Sequence, residues 1–523
     1  MSKLPDARSA DTRSGSDGNA VYHFNFATAQ QAVGRWDKAR AHFTQAITLG
    51  IDEPSAVGAV LAIPTIAGCL HRLAAAWPRP PTATELFGST GVSAVAAQAL
   101  LPCVLKSYWV CHPALEHVLT RLRALLLDRA TKHAKLDRKE LALFSALAQQ
   151  CFINEYVFAL DGDELREAIS LRENLSDHLA KSGDVSPLLV AAVGAYFPLH
   201  RVANTELLLN KKWPADIDDL IRQQIREPLE ELRDRDTIPA LTPIDDRSLP
   251  VQQQYEENPY PRWIVIPPVR VLDTDPDAHR KSDILIAGCG TGQHSIDAAL
   301  LFPNAQILAV DISLTSLAYA RRKTREADLH NIEYVHADIL KLSTLDRTFD
   351  YIESVGVLHH LADPAAGWRS LLSLLRPGGA MRVGLYSDIA RTAIVAGRAL
   401  IAQRGYSATA EGIRACRQEI FRIEHGIERN LIMLRDFYST SGCRDLLFNV
   451  QEQRYTLPQI KAFLAEQQLT FLGFELPREI FASFQKRYPE PAALINLDRW
   501  HEFETVNPDT FLGMYIFNVA TRI

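Results

Sequence analysis

No Cys-x-x-Cys pair occurs in these 523 residues, and the seven cysteines, Cys69, Cys103, Cys111, Cys151, Cys289, Cys416 and Cys443, are odd in number and scattered. That argues against a zinc site or a disulfide framework. Reduced thiols in a cytoplasmic protein are the expectation, with no metal. Neither charge is in large excess: 56 Lys and Arg stand against 62 Asp and Glu, a net charge of -6. The chain therefore has no general attraction for nucleic acid or an anionic membrane, and neither partner is expected. Met1 to Asn19 is polar and lacks the apolar core of a secretory signal. The uncharged run from Leu86 to Leu105 is nominally long enough to cross a bilayer. Gly88, Ser89, Thr90, Gly91, Ser93, Gln98 and Pro102 break it up, so it predicts buried helices and no membrane span.

What is present is an ordinary soluble composition, 47% hydrophobic and 23% charged, over a length that predicts two or three domains. Residues 1–20 read as a disordered tail. Residues 21–234 are rich in Ala and Leu at helical spacing, as with Leu143 and Leu147, or Leu171, Leu175 and Leu179, and predict an all-helical domain. Within it, residues 28–51 carry Gly34-Arg-Trp-Asp-Lys-Ala39, then Phe43, Ala46-Ile47 and Leu49-Gly50. This resembles the second helix of a tetratricopeptide repeat. A peptide-binding groove would need about three copies, and one copy favours a solitary packing hairpin. Residues 235–281 read as a linker, interrupted by Pro239, Pro243 and Pro250, followed by the strap Gln254-Tyr-Glu-Glu-Asn-Pro-Tyr-Pro-Arg-Trp263.

From Ser282 onward strand and helix alternate, which predicts an α/β fold, a mostly parallel sheet covered on both faces. Helical inserts are expected at about 391–445 and 477–510, with the last strand near Met514 to Val519. The informative stretch is Ile284-Leu-Ile-Ala-Gly-Cys-Gly-Thr-Gly292, an apolar strand running into a glycine turn. Asp311 follows about 20 residues later at the end of the next strand, where a carboxylate suits a ribose diol. A second lone acid, Asp338, follows the third strand. A P-loop is excluded because Gly292 is followed by Gln293-His294 rather than Lys-Ser/Thr.

With Phe349-Asp-Tyr-Ile-Glu-Ser-Val-Gly-Val-Leu-His-His-Leu361 and Arg376-Pro-Gly-Gly379 added in order, residues 282–390 resemble a class I S-adenosylmethionine-dependent methyltransferase. The resemblance implies a Rossmann-like domain over 282–523, seven strands with a reversed C-terminal strand. It also implies roles. Gly288, Cys289, Gly290 and Gly292 run beneath the methionine part of the cofactor. Asp311, with Ile312 beside it, accepts from the ribose, Asp338 accepts from the adenine amine, and Ile339 faces the ring. The family often has an acid where this chain has Ile286, which leaves open how the cofactor's amino group is held. A backbone carbonyl is one substitute and Glu353 a second. The strap is another, acting as a cofactor lid through Tyr255, Tyr260 and Arg262, against the alternative that it only packs the domains together.

For chemistry, His359 or His360 is a candidate general base, its neutral form being accessible near physiological pH. Against this, Leu-His-His is a packing feature common in such domains. Tyr386 and Tyr438 are candidates for orienting an acceptor, or amphipathic core. Trp500 to Phe503 and Asn507 to Asp509 either close the acceptor pocket or form a capped turn. Arg417 to His425 reads as a mixed-charge, solvated helix face. The expected activity is methyl transfer to a small-molecule, peptide or protein acceptor, with a protein partner available to the helical domain. The competing readings are a non-catalytic S-adenosylmethionine-binding scaffold or sensor, and a dinucleotide oxidoreductase, which would want G-x-G-x-x-G.

Overall fold

Seven apolar segments form one sheet in a computed structural model that describes residues 19–521 other than 78, 80, 89, 90, 182 and 267–280. The tail expected over 1–20 lies, through residue 18, outside the described residues, as do 267–280 of the linker and strap. The strands are β1 (Asp283–Ala287), β2 (Gln306–Asp311), β3 (Ile332–His336), β4 (Phe349–Val355), β5 (Leu375–Leu385), β6 (Thr470–Phe474) and β7 (Tyr515–Ala520). Their order is β3-β2-β1-β4-β5-β7-β6. Every pairing from β3 to β5 is parallel, and β7 runs antiparallel to both β5 and β6. The fold is thus the expected mixed sheet with a reversed C-terminal strand. Ile284, Leu285, Ile286 and Ala287 are all at most 2% exposed, as a central parallel strand covered on both faces requires. The strand order reverses between β1 and β4, and the crevice beyond their C-terminal ends is where a ligand fits such a sheet.

Every described element from Ala20 to Arg235 is helical. Leu143, Leu147, Leu175 and Leu179 are buried as their spacing predicts. The helices Ala20–Ala32 and Trp36–Thr48 form a hairpin, turning at Gly34 with φ of 74° and packing Phe24 against Phe43. Residues 86–105 contribute three short helices rather than one, and among the described residues no single helix is long and apolar enough to cross a membrane. The linker does more than connect. Ala240 bridges His336 in parallel, with Pro239 O and Leu241 N bonded to His336, so it extends the free edge of β3.

The segment after β5 does not pack as an appendage of the sheet. Its helices Thr392–Arg404, Ala410–Arg422 and Thr440–Phe448 share one continuous apolar core with the N-terminal helical region, through Ile394, Ile413, Ile420, Phe437 and Leu447. Arg417 corrects the reading of a solvated face. It is fully buried, and its guanidinium bonds Glu116 Oε1 at 3.1 Å and Oε2 at 2.7 Å. The helix Leu497–Val506 packs on the sheet, where Trp500 stacks on Phe484 at 3.7 Å and Phe503 is buried. Neither residue reaches the site described below.

Candidate functional site

The turn after β1 is built from glycines with positive φ: 80° at Gly288, 52° at Gly290 and 85° at Gly292. Each also lies where a side chain has no room. A Cβ on Gly288 would come within 2.4 Å of Val357, and one on Gly290 within 2.7 Å of the carbonyl oxygen of Tyr260. One on Gly292 would lie 2.5 Å from the Cβ of Ala320. Gly292 therefore serves helix packing, whereas Gly288 and Gly290 face the crevice. Gly292→Ala is expected to destabilise the protein by about 2 kcal/mol, more than the ordinary Gly-to-Ala cost, because strain and clash add. Chemical denaturation checks this, and a change below about 0.5 kcal/mol would remove the packing argument.

Asp311 closes the turn from the side of β2. Its Oδ2 accepts from Gly290 N at 2.8 Å and its Oδ1 from Ser313 N at 2.9 Å. Burial pushes this carboxyl above the ordinary range, although the two amides pull the other way. Asp338, 1% exposed, caps the turn after β3, accepting from Leu340 N at 2.9 Å and from Asp245 N at 3.0 Å. Its own amide donates to Thr242 Oγ1 at 2.8 Å. Thr242 and Asp245 belong to the linker, which thereby holds the second acid in place.

The strap lies over the glycine turn and is fastened to it. Thr291 Oγ1 donates to Pro261 O, and Trp263 Nε1 donates to Thr291 O at 3.2 Å. Glu256 accepts from Leu314 N at 2.6 Å at the start of the helix Leu314–Glu326, and Ser313 Oγ donates to Tyr255 O at 3.1 Å. Between strap, sheet and inserted helices is a cavity of about 430 Å³. Gly288, Cys289, Gly290, Asp311, Ile312, Asp338 and Ile339 line it from the sheet and its loops, and Tyr255, Tyr260, His360 and Tyr386 line it as well. The structure thus brings eleven of the expected residues to one cavity.

Five others are elsewhere. Gly292 packs against Ala320, as above. Glu353 faces a separate depression, paired with His294 Nδ1 at 2.6 Å and Arg382 Nη1 at 2.9 Å. Arg262 lies over the rings of Phe152 and Tyr319, tying the strap to the helical region. His359 is fully enclosed and stacked on Tyr386 at 3.7 Å; burial lowers it far below the usual imidazole range, so it stays neutral. Tyr438 is also buried, its hydroxyl donating to Ile432 O at 2.6 Å.

Two residues absent from the sequence reading complete the lining. Asp445 accepts from the Tyr255 hydroxyl at 2.6 Å, and Asp436 from the Tyr260 hydroxyl at 2.8 Å. Both acids line the cavity. Burial, opposed by the Tyr260 hydrogen bond and reinforced by the nearby charge of Asp445, pushes Asp436 up to about 6. Burial and the same carboxylates raise Tyr255 and Tyr260, which keeps the phenols protonated as donors. Because folding raises the Asp436 pKa, the folded state holds its proton more tightly, and stability falls as pH climbs from about 4 to about 6. Asp436→Asn keeps the acceptor for Tyr260 and removes the charge. It is expected to stabilise the ligand-free protein by about 1–2 kcal/mol at pH 7.5 and not at pH 4. Urea unfolding at the two pH values reads this out, and equal effects at both would contradict it.

Comparison with known proteins agrees with the sheet and its loops. Residues 284–379 match the family model described as a methyltransferase domain. An uncharacterized protein of Synechococcus sp. is 31% identical over 242 residues, 43% of this chain and 57% of the relative. A demethylmenaquinone methyltransferase of Listeria welshimeri is 33% identical over 99 residues, 19% of this chain and 42% of the relative. The chain thus spans about half the length of the curated relatives it matches. Among solved structures, PKMT2 from Rickettsia typhi aligns with 46% of this chain and 50% of its own, at 18% identity and a TM-score of 0.37. The N-methyltransferase NodS from Bradyrhizobium japonicum, solved with S-adenosyl-L-homocysteine, aligns with 20% of this chain and 54% of its own, at 24% identity and a TM-score of 0.19. The glycine turn, Asp311 and Asp338 all lie within the stretch that matches the methyltransferase-domain model.

Proposed function

We propose that the chain is an S-adenosylmethionine-dependent methyltransferase acting on a small-molecule, peptide or protein acceptor. The observation that carries this reading is the placement of Asp311 and Asp338 in the lining of a single cavity, beneath a glycine turn that leaves no side chain in the way. The donor set fits the cofactor. Each Asp311 oxygen accepts one backbone amide and keeps a second lone pair, which suits the two hydroxyls of a ribose. Asp338 retains the same capacity for an exocyclic amine. Ile312, Ile339 and Val357 supply apolar wall for an adenosyl group. Bound S-adenosylmethionine supplies a methyl group on a positively charged sulfur.

The chain's own contribution is to bind, align and dry the site. Positioning a nucleophile in line with the methyl carbon provides much of the acceleration in such a displacement. The strap, fastened to Thr291, Ser313 and Leu314, covers the turn and keeps water from it. Seven free cysteines, six of them buried, suit a reducing compartment, and we place the protein in the cytoplasm. The hairpin over 28–51 is the place where a tetratricopeptide-like partner contact would form.

Calorimetric titration with S-adenosyl-L-homocysteine, S-adenosylmethionine and NAD tests cofactor choice. Binding of the first two in preference to NAD is the expected result, and the reverse would overturn the reading. Incubation with methyl-labelled cofactor and fractionated lysate then separates enzyme from scaffold. Label entering no fraction, with the cofactor bound, would leave a non-catalytic binder.

A further inference from the structure

Besides Asp311 and Asp338, the cavity is lined by two further acids and by Arg391 and Arg435. Asp436 and Asp445 both line it, and each accepts a hydrogen bond from a strap tyrosine. The cations nearby are already committed. Arg391 forms a two-pronged pair with Glu452 at 3.1 and 2.7 Å and stacks over Tyr386. Arg435 is largely exposed and reaches Glu53 at 3.2 Å. A second, independent feature points the same way. His360 is 3% exposed and holds Gln451 O through Nδ1 at 2.7 Å, while its Nε2 has no hydrogen-bond partner. That Nε2 lies 3.9 Å from Asp445 Oδ1, beyond hydrogen-bond length, so it stands unpartnered beside the acid. The rings of Tyr255 and Tyr386 flank His360.

We propose that Tyr255, Tyr260, Asp436, Asp445 and His360 form an acceptor subsite for the ammonium end of an alkyl amine. This rests on the methyltransferase reading above and names its substrate class. Two neighbouring carboxylates, Asp445 buried and Asp436 half-buried, are relieved by a cation and aggravated by an anion, and aromatic faces add attraction for an alkylammonium. Burial already raises Asp436 to about 6 in the absence of such a cation. An acidic or strictly neutral acceptor gains nothing from this wall. The arriving ammonium must lose one proton to become a nucleophile. It passes to the free Nε2 of His360, giving an imidazolium beside the Asp445 carboxylate. The nitrogen lone pair then forms the N–C bond as the C–S bond breaks. The bonding pair stays on sulfur, and the product leaves as a methylated ammonium. Asp436 and Asp445 are binding residues here, and His360 takes the proton.

The test is calorimetry on the full-length protein saturated with S-adenosyl-L-homocysteine, titrated with n-butylammonium, 1-butanol and butyrate. Butylammonium is expected to bind about tenfold or more tightly than either isostere. Equal binding of butanol, or preference for butyrate, would overturn the proposal. Failure of S-adenosyl-L-homocysteine itself to bind would instead strike the parent reading. Asp445→Asn is expected to lower butylammonium affinity by about tenfold while S-adenosyl-L-homocysteine affinity stays within about twofold. If the variant weakens S-adenosylmethionine relative to S-adenosyl-L-homocysteine and leaves butylammonium unchanged, the carboxylates serve the sulfonium and the proposal fails. A final arm titrates an N-acetylated peptide with a single lysine. Binding tighter than butylammonium assigns the amine to a polypeptide, and equal binding assigns it to a small molecule, each sustaining the amine class.

Discussion

Replacing Asp311 with alanine is expected to weaken S-adenosyl-L-homocysteine binding by about 10²–10³-fold, on the order of 3–4 kcal/mol. Two effects combine. A ligand diol loses a charged acceptor, and hydrogen bonds to a charged group contribute about 1.5–3 kcal/mol each. The turn also loses its clamp, because the same carboxylate holds Gly290 N at 2.8 Å and Ser313 N at 2.9 Å. Gly290 then keeps a buried amide without its partner, at a position where φ is 52° and Tyr260 O presses from above. Asp311→Asn separates the two effects. It retains a carbonyl acceptor for one amide while losing the charge, and an intermediate loss of about tenfold to thirtyfold is expected. Calorimetry measures both variants. Since burial raises the Asp311 carboxyl, neutralising it should not unfold the domain, and a retained thermal transition confirms that the loss is local. Affinity within about threefold of the parent for Asp311→Ala would remove this acid from the site.

What was legible in the sequence was local. A glycine turn between β1 and the helix Gln293–Leu301, an acid at the end of β2 and an acid after β3 all belong to consecutive strand–helix units. Their positions follow from strand polarity and from the φ > 0 that only glycine adopts freely. The pattern did not tell which glycine meets a ligand and which meets a helix, because that depends on Ala320 lying against Gly292. Glu353 was misplaced for a similar reason: Arg382 and His294 hold it in another depression, and neither pairing has a sequence signal. Asp436 and Asp445 were not legible at all. Their tyrosine partners are 176 and 190 residues away, and the acids lie on inserted segments with no recognisable motif. Arg417 illustrates the general difficulty. Arg, Gln, Glu and Arg spaced along a helix read as a solvated face, and only a second helical layer carrying Glu116 turns one of them inward.

That pair carries the other large expected effect. Glu116→Ala should destabilise the protein by about 3–5 kcal/mol, because it strands a buried guanidinium. Arg417 is fully enclosed, and besides Glu116 it donates to Phe437 O at 2.6 Å and Val157 O at 2.9 Å, with the Phe437 ring against its guanidinium at 4.8 Å. Those carbonyls keep the guanidinium solvated but leave its charge uncompensated. Arg417→Ala should cost a similar amount, leaving the buried Glu116 carboxylate without its partner. The double change Glu116→Leu with Arg417→Met replaces charge by volume and should recover much of the loss, since well-packed apolar pairs often match a buried ion pair. Urea unfolding of the three variants measures this, and the double-mutant cycle isolates the coupling. The consequence extends to the site. Asp436 directly precedes Phe437, whose carbonyl Arg417 holds, so a loosened insert moves an acid of the cavity wall. The single variants should therefore weaken butylammonium more than S-adenosyl-L-homocysteine, whose proposed acids are Asp311 at the end of β2 and Asp338 just after β3. Equal losses for both ligands would show that the insert and the sheet respond as one unit.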